Sequence, residues 1–266
     1  MDRISKAIKK ARQANPARPA HNSRVEPAVR GRTLEIKRIP VDPQVLRENR
    51  IIIDGVNDAH SHAYKVLRTR VWQQMRTRGW NTLGVTSANS GEGKSLTAIN
   101  LAIGLSKMGV AQSIILVDLD MRRPSLHKYF GIWQEAGISD YLHGVVDFNE
   151  VLVTPEPCEI TLLPGNMAIS NSSEIISSSR MQRLLKEIAA NFSSRIVLFD
   201  LPPMLQTDDV MAFAPNVDAM LFIIEEGKSS EDEITKAVEL LRDVDVEILG
   251  TVLNKSEDVF QGEGYY

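Results

Sequence analysis

Residues 88–95, Ala88-Asn89-Ser90-Gly91-Glu92-Gly93-Lys94-Ser95, constrain this chain more than any other stretch. They follow an apolar run, Thr82-Leu83-Gly84-Val85, and open a helix-like run from Leu96 to Met108. Strand, glycine-rich turn and helix in that order aim backbone N–H groups and a helix N-terminus at one point, which makes a phosphate site. The spacing is GxxxxGK[ST] with Ala88 in the place of the first glycine. Asn89, Ser90, Gly91, Glu92, Gly93, Lys94, Ser95 and Leu96 are therefore the candidate nucleotide-binding residues. Lys94 is placed to bring positive charge to the β- and γ-phosphates, and the Ser95 hydroxyl to ligate Mg²⁺. The plain alternative is a Gly/Ser turn with a solvated lysine.

The rest of the chain alternates apolar strands with helices. A helix is expected over 58–78, with Val66, Val71, Trp72 and Met75 on its apolar face. Strands are expected over 82–87, 113–118, 159–163, 196–199, 219–224 and 248–253. Helices are expected over 94–108, 178–190 and 231–241, short helical pieces over 124–145, and a helix C-cap at Gly109. The serines at 170, 172, 173 and 177–179 read as a capping loop. Strands such as Ile114-Ile115-Leu116-Val117 are apolar on both faces, which requires a sheet covered on both sides. The fold class is thus α/β: a P-loop NTPase with a mostly parallel twisted sheet flanked by helices on both faces. In such sheets ligands sit beyond the carboxyl ends of the strands.

Three further motifs fall at those ends. Strand 114–117 runs into Asp118-Leu119-Asp120-Met121-Arg122-Arg123-Pro124. Carboxylates at i and i+2 on extended chain point the same way, so Asp118 and Asp120 are candidates for holding Mg²⁺ and for taking a proton from an incoming hydroxyl. The competing role is that one of them caps the helix after Pro124. Strand 196–199 ends in Asp200-Leu201-Pro202-Pro203, four apolar residues and then an acid, the pattern of a Walker B carboxylate that reaches Mg²⁺. The last strand ends at Asn254, a candidate for hydrogen-bonding an adenine edge.

Both ends of the chain differ from its middle. Residues 1–38 hold 11 Lys/Arg against 3 Asp/Glu, a balance of +8, and the remainder carries −11. With Pro16, Pro19, Pro27, Pro40 and Pro43, residues 1–50 read as a basic flexible arm. Ile4, Ala7, Ile8 and Ala11 share one face of a short helix within it, suited to an anionic surface or an acidic partner, or merely solubilising. Residues 51–254 form the expected domain, and 255–266 a tail that ends in Tyr265-Tyr266. Its last 11 residues, fully extended, span about 36 Å at ~3.3 Å each, enough to reach a neighbouring subunit's site. The single cysteine, Cys158, leaves no intrachain disulfide and no CxxC site, and fits a reducing compartment. No apolar run approaches the roughly 20 residues that cross a bilayer.

Taken together, these residues resemble the bacterial tyrosine kinases of capsule and exopolysaccharide synthesis, the BY-kinases, over roughly 58–266. The opening Met1-Asp2-Arg3-Ile4-Ser5-Lys6-Ala7 is similar to the exosortase-associated tyrosine autokinases. The matching motifs are Gly91-Glu92-Gly93-Lys94-Ser95, Asp118-Leu119-Asp120 with Arg122-Arg123-Pro124-Ser125-Leu126, Asp200-Leu201-Pro202-Pro203, and the terminal Tyr265-Tyr266.

The resemblance implies an autokinase that uses ATP and Mg²⁺. Lys94 would polarise the phosphates, and Asp118 and Asp120 would serve as base and metal ligand. Ser95 and Asp200 would complete the metal site, and Tyr265 and Tyr266 would be the acceptors, labelled in trans within a homo-oligomer. It further implies a membrane-spanning polysaccharide chain-length determinant or co-polymerase as activator, a cytoplasmic place at the inner membrane, and no nucleic-acid partner. His62, Lys65 and Arg68 stand where the family carries ExxRxxR, its oligomerisation motif. His62 cannot reproduce the glutamate's bidentate pairing with arginine. Two alternatives compete. One is a partition or septum-positioning P-loop ATPase, whose second lysine is replaced here by Asn89. The other is a nucleotide-binding scaffold without turnover.

Overall fold

The computed structural model describes residues 34–53, 59–111, 113–192 and 194–256. Its centre is one eight-stranded sheet in the order β1-β4-β5-β3-β6-β2-β7-β8. The strands are β1 (Lys37–Pro40), β2 (Thr82–Ser87), β3 (Ser113–Asp118), β4 (Val153–Glu156), β5 (Thr161–Leu163), β6 (Arg195–Asp200), β7 (Ala219–Glu225) and β8 (Glu247–Asn254). Every pairing is parallel except β4 with β5, so β1 and β4 run against the other six.

Strand alternation sends side chains into two cores. Val197 and Phe199 of β6 join one, and Ile196 and Leu198 the other. The second core is covered by α1 (Pro43–Glu48), α2 (Ala59–Arg78), α3 (Lys94–Ser106) and α4 (Leu126–Phe130). The first is covered by α5 (Ile138–His143), α6 (Ser172–Ile176), α7 (Ser179–Asn191), α8 (Asp209–Phe213) and α9 (Glu231–Asp243). The helix after the P-loop, α3, is the most enclosed: ten of its thirteen residues are buried, Leu101 and Leu105 completely. Residues at i, i+3 and i+4 therefore all face protein. Within the first core Phe199 of β6 meets Phe213 of α8 edge-on, centroids 4.8 Å apart.

The expected strands and helices are present, most within one or two residues of their anticipated ends. Strand β5 starts later than expected, at Thr161, because Glu159 holds a left-handed φ of +51° that no strand accommodates. The serine-rich loop contains a short helix, α6, and Ser178 caps α7 by accepting the Met181 N–H at 3.4 Å.

The arm requires a correction. Residues 37–48 are not free chain but β1 and α1, and Val41, Leu46 and Ile51 are buried in the core. Asp42 caps α1 by accepting the Gln44 N–H at 2.8 Å, and Pro43 takes the first helical position. The remaining arm, residues 1–33, and the tail from 257 lie outside the described residues. Among the described residues no helix is long and apolar enough to cross a membrane.

Candidate functional site

Strand β2 delivers the P-loop to the carboxyl edge of the sheet, flanked by β6 and β7. Gly91 and Gly93 take left-handed φ values of +81° and +93°, which turn the backbone into α3. A Cβ on Gly93 would lie 2.0 Å from Asn254 Nδ2, so glycine is required there twice over.

The loop is held from below. Glu92 is fully buried; its carboxylate accepts the Asn89 N–H at 3.0 Å and the Ser229 hydroxyl. Asn254 Nδ2 donates to the Glu92 carbonyl at 2.8 Å, and Lys255 Nζ to the Gly91 carbonyl at 2.8 Å. Lys255 also pairs with Glu225 at 3.0 Å. Gln206 reaches Ser90 Oγ at 3.5 Å, and the chain after β6 bonds back through Met204 N to Ser87 O and Leu205 N to Ala88 O. Asn254 therefore braces the P-loop backbone at the same rim where an adenine contact is expected of it. The Glu92 side chain supports the loop from within.

Above the loop the charges converge. Strands β3 and β6 end side by side, with Asp118 and Asp200 in register. Lys94 Nζ lies 2.7 Å from Asp120 Oδ2 and 3.7 Å from Asp200 Oδ1, and 3.4 Å from its neighbour Ser95 Oγ. All four groups are buried. Burial pulls the Lys94 ammonium down, but Asp200 and then Asp120 outweigh it, and its pKa ends above the usual lysine value.

The carboxyl of Asp118 is pushed up to about 7, first by burial and then by Asp200. Asp200 is raised too, first by burial, with Lys94 and Ser95 opposing. Asp118 divides its two oxygens. Oδ2 accepts the Ser125 and Leu126 N–H groups at 3.0 Å each and so caps α4. Oδ1 is buried with no hydrogen bond, and of the two Asp200 oxygens, likewise without a hydrogen bond, Oδ1 has the Lys94 ammonium 3.7 Å away. The capping and functional roles expected as alternatives thus coexist on one side chain.

These orphaned oxygens test the fit of a magnesium nucleotide. A buried carboxylate oxygen without a partner is costly unless a cation or proton meets it. Among the described residues no three acidic, His or Cys side chains form a metal cage. Mg²⁺ on a nucleotide needs no cage, since it keeps waters and takes one or two protein ligands plus phosphate oxygens. Ser95, with Ser125 Oγ 3.4 Å from its hydroxyl, and Asp200 have the right chemistry and place.

The structure thus gathers Asn89, Ser90, Gly91, Glu92, Gly93, Lys94, Ser95, Leu96, Asp118, Asp120 and Asp200 around one rim. Tyr265 and Tyr266 lie outside the described residues. Residues missed in sequence are Ser229, Glu225, Lys255 and Gln206, of which Lys255, adjacent to Asn254, carried a local signal; Ser125 lay within a matching motif but was given no role. On α2, Arg68 Nη1 donates to the Gly104 carbonyl at 3.1 Å, while His62 and Lys65 are exposed. Cys158 is buried, and burial pushes its thiol up to about 11, so it is neither nucleophile nor ready metal ligand.

A family model described as ParA, NUBPL iron-transfer P-loop NTPase, matches residues 80–264. The chain is 28% identical over 222 residues to the tyrosine-protein kinase YwqD of Bacillus subtilis (strain 168), across 83% of this chain and 92% of that protein. It is also 28% identical to the tyrosine-protein kinase etk of Escherichia coli (strain K12), across 77% of this chain but only 28% of that longer protein. In fold it is similar to the kinase domain of the Escherichia coli tyrosine kinase ETK, with a TM-score of 0.70 at 23% identity, covering 88% of this chain and 94% of that one.

Proposed function

Because the chain belongs to the ParA family of P-loop NTPases, we propose that it turns over ATP with Mg²⁺ as a protein-tyrosine autokinase of exopolysaccharide synthesis. The observation that carries this reading is the unpartnered Oδ1 of Asp118, buried beside Lys94 at the mouth of the P-loop. The curated relatives named tyrosine-protein kinase support it. The iron-transfer label of the family model finds no support in the chain's chemistry, whose one cysteine is buried.

The P-loop N–H groups from Ser90 to Ser95 bind the β- and γ-phosphates, and Lys94 moves from Asp120 onto them. Mg²⁺, when bound, neutralises charge on those oxygens; Ser95 and Asp200 hold it, with Asp120 freed by the lysine as a further ligand. A tyrosine hydroxyl from a second copy attacks the γ-phosphorus. Its phenolic proton passes to Asp118 Oδ1 as the P–O bond to ADP breaks, leaving phosphotyrosine and ADP. A tyrosine hydroxyl ionises near 10, so a base assists the attack, and burial with the Asp200 charge raises the proton affinity of the Asp118 carboxylate in the nucleotide-free site.

Tyr265 and Tyr266 are the proposed acceptors, within a homo-oligomer. The proposed activator is the cytoplasmic segment of a membrane-spanning polysaccharide co-polymerase, which would hold the protein at the inner membrane. Asn89, in the place of a partition ATPase's second lysine, uses its N–H on Glu92 and brings no charge to a neighbouring site.

Incubation of the full chain with Mg-ATP, followed by intact-mass and tail-peptide analysis, is expected to show phosphate on Tyr265 and Tyr266. Labelling should vanish in the Tyr265→Phe/Tyr266→Phe protein. ATP hydrolysis with no mass added to the wild-type chain, alone or with a co-polymerase segment, would refute the kinase assignment.

A further inference from the structure

We infer that Trp133 and Met167 form the shelf on which the acceptor tyrosine segment of a second copy lies, so that they set acceptor specificity. This deepens the kinase reading and rests on it. The two are among the most exposed large apolar side chains described, Trp133 at 85% and Met167 at 59%. Such residues cost solubility where nothing covers them.

Both are anchored to the wall of the Asp118 pocket. Gly165 forms that wall: a Cβ there would lie 3.5 Å from the Asp118 carboxylate and 2.4 Å from Pro124 Cβ. The loop beyond Gly165 is fixed at both ends. Asn166 Nδ2 donates to Asp140 at 2.6 Å, and Ile169 N to the Met121 carbonyl at 2.8 Å, one residue past Asp120. Met167 stands between those ties. On the other flank Asn166 Nδ2 reaches the Glu135 carbonyl at 3.4 Å, two residues past Trp133, and Trp133 packs edge-on against His127 with centroids 6.1 Å apart. His127 is itself buried, so Trp133 stands outward on a fixed base.

The chemistry of this rim matches the chain's own terminus. A tryptophan and a thioether offer an aromatic ring stacking and S–π contacts. Arg123 and Lys128, both exposed, border the same loop–helix turn, with the exposed Glu135, two residues from Trp133, as an opposing charge. The segment after Ser256 carries Glu257, Asp258 and Glu263 around glycines and ends in two tyrosines. An acidic, glycine-spaced segment with terminal rings suits a basic rim with an apolar shelf.

The test uses two full-length proteins. The enzyme copy carries Tyr265→Phe/Tyr266→Phe and cannot be labelled; the acceptor copy carries Asp118→Asn and cannot transfer. Phosphate on the acceptor copy is followed as its concentration is varied. Trp133→Ala in the enzyme copy is expected to raise the acceptor KM about tenfold, and Met167→Ser several-fold, with ATP affinity and melting temperature unchanged. Trp133→Phe should restore most of the parent KM. Unchanged acceptor KM in both Trp133→Ala and Met167→Ser would overturn the shelf while leaving the kinase reading intact. A rise that tracks a loss of oligomeric mass in sedimentation would overturn it as well, assigning the face to subunit contact. No transfer by the parent pair would instead sink the kinase reading, and the shelf with it.

Discussion

At the scale of single residues, the site is three buried aspartates balanced by one lysine. Lys94 contacts Asp120 and lies near Asp200, which leaves Asp118 the least compensated. Its carboxyl is raised from an ordinary 3.8 to about 7, first by burial and then by Asp200. A carboxyl that holds its proton more tightly when folded destabilises the native state once it ionises. That penalty is absent below about pH 4, grows between pH 4 and 7, and is complete above. Asp118→Asn keeps an oxygen for the Ser125 and Leu126 N–H groups and removes the charge. The nucleotide-free variant is expected to melt on the order of 5 °C above wild type at pH 8, with the gap closing toward pH 5. Differential scanning fluorimetry across that range checks it, and a gap independent of pH would contradict it. The same variant should bind ATP and transfer no phosphate. The identity of these aspartates was legible in sequence, because Asp118 and Asp200 each end an apolar strand and Asp120 follows Asp118 at i+2. The division of labour between the two oxygens of Asp118 was not, because it depends on where α4 begins in space.

At the scale of elements, the P-loop is held in shape by the far end of the chain. Asn254 and Lys255 at the end of β8 bond the carbonyls of Glu92 and Gly91, and Ser229 ahead of α9 bonds the Glu92 side chain. A loop whose N–H groups must point at phosphate is worth most when pre-formed. Asn254→Ala removes one such brace and leaves space above Gly93. It is expected to weaken ATP binding about five- to tenfold at a cost of about 1 kcal/mol in stability. Titration calorimetry and denaturant melts measure the two. Affinity unchanged with the brace gone would show that the loop holds its shape alone. These contacts join residues 137 to 164 positions apart, so no local pattern announces them. By contrast, β3 and β6 declared themselves through uninterrupted apolar runs, and α3 through the glycine-rich turn that opens it.

At the scale of the whole molecule, the boundary of the folded unit lies earlier than the prolines suggested. β1 pairs with β4 at the sheet's edge, and α1 places Leu46, fully buried, in the core beneath α4. A chain lacking residues 1–33 keeps β1, α1 and their buried side chains, and is expected to melt well above a chain lacking 1–50. A chain lacking 1–50 loses Val41 and Leu46, and Leu46→Ala alone should cost 2–5 kcal/mol by the usual measure of a buried leucine. Thermal melts of the two truncations decide it; equal melting would return residues 34–50 to the arm. Pro43 counted among the prolines of the arm, whereas the structure makes it the first residue of α1, capped by Asp42. The basic charge around it and the shortness of β1, the sheet's edge strand among the described residues, hide this boundary from the sequence. What the sequence alone determined was the P-loop, the acid at the end of each central strand, and hence the parallel α/β sheet. Each is written in a few consecutive residues whose periodicity and turn chemistry act locally. Only the tertiary structure decided which strands are neighbours, that Asp118 and Asp200 share a register, that Asn254 braces the P-loop, and that Gly165 backs the Asp118 carboxylate. Those facts follow from closing a sheet whose adjacent strands are distant in sequence, and packing, not propensity, fixes that order.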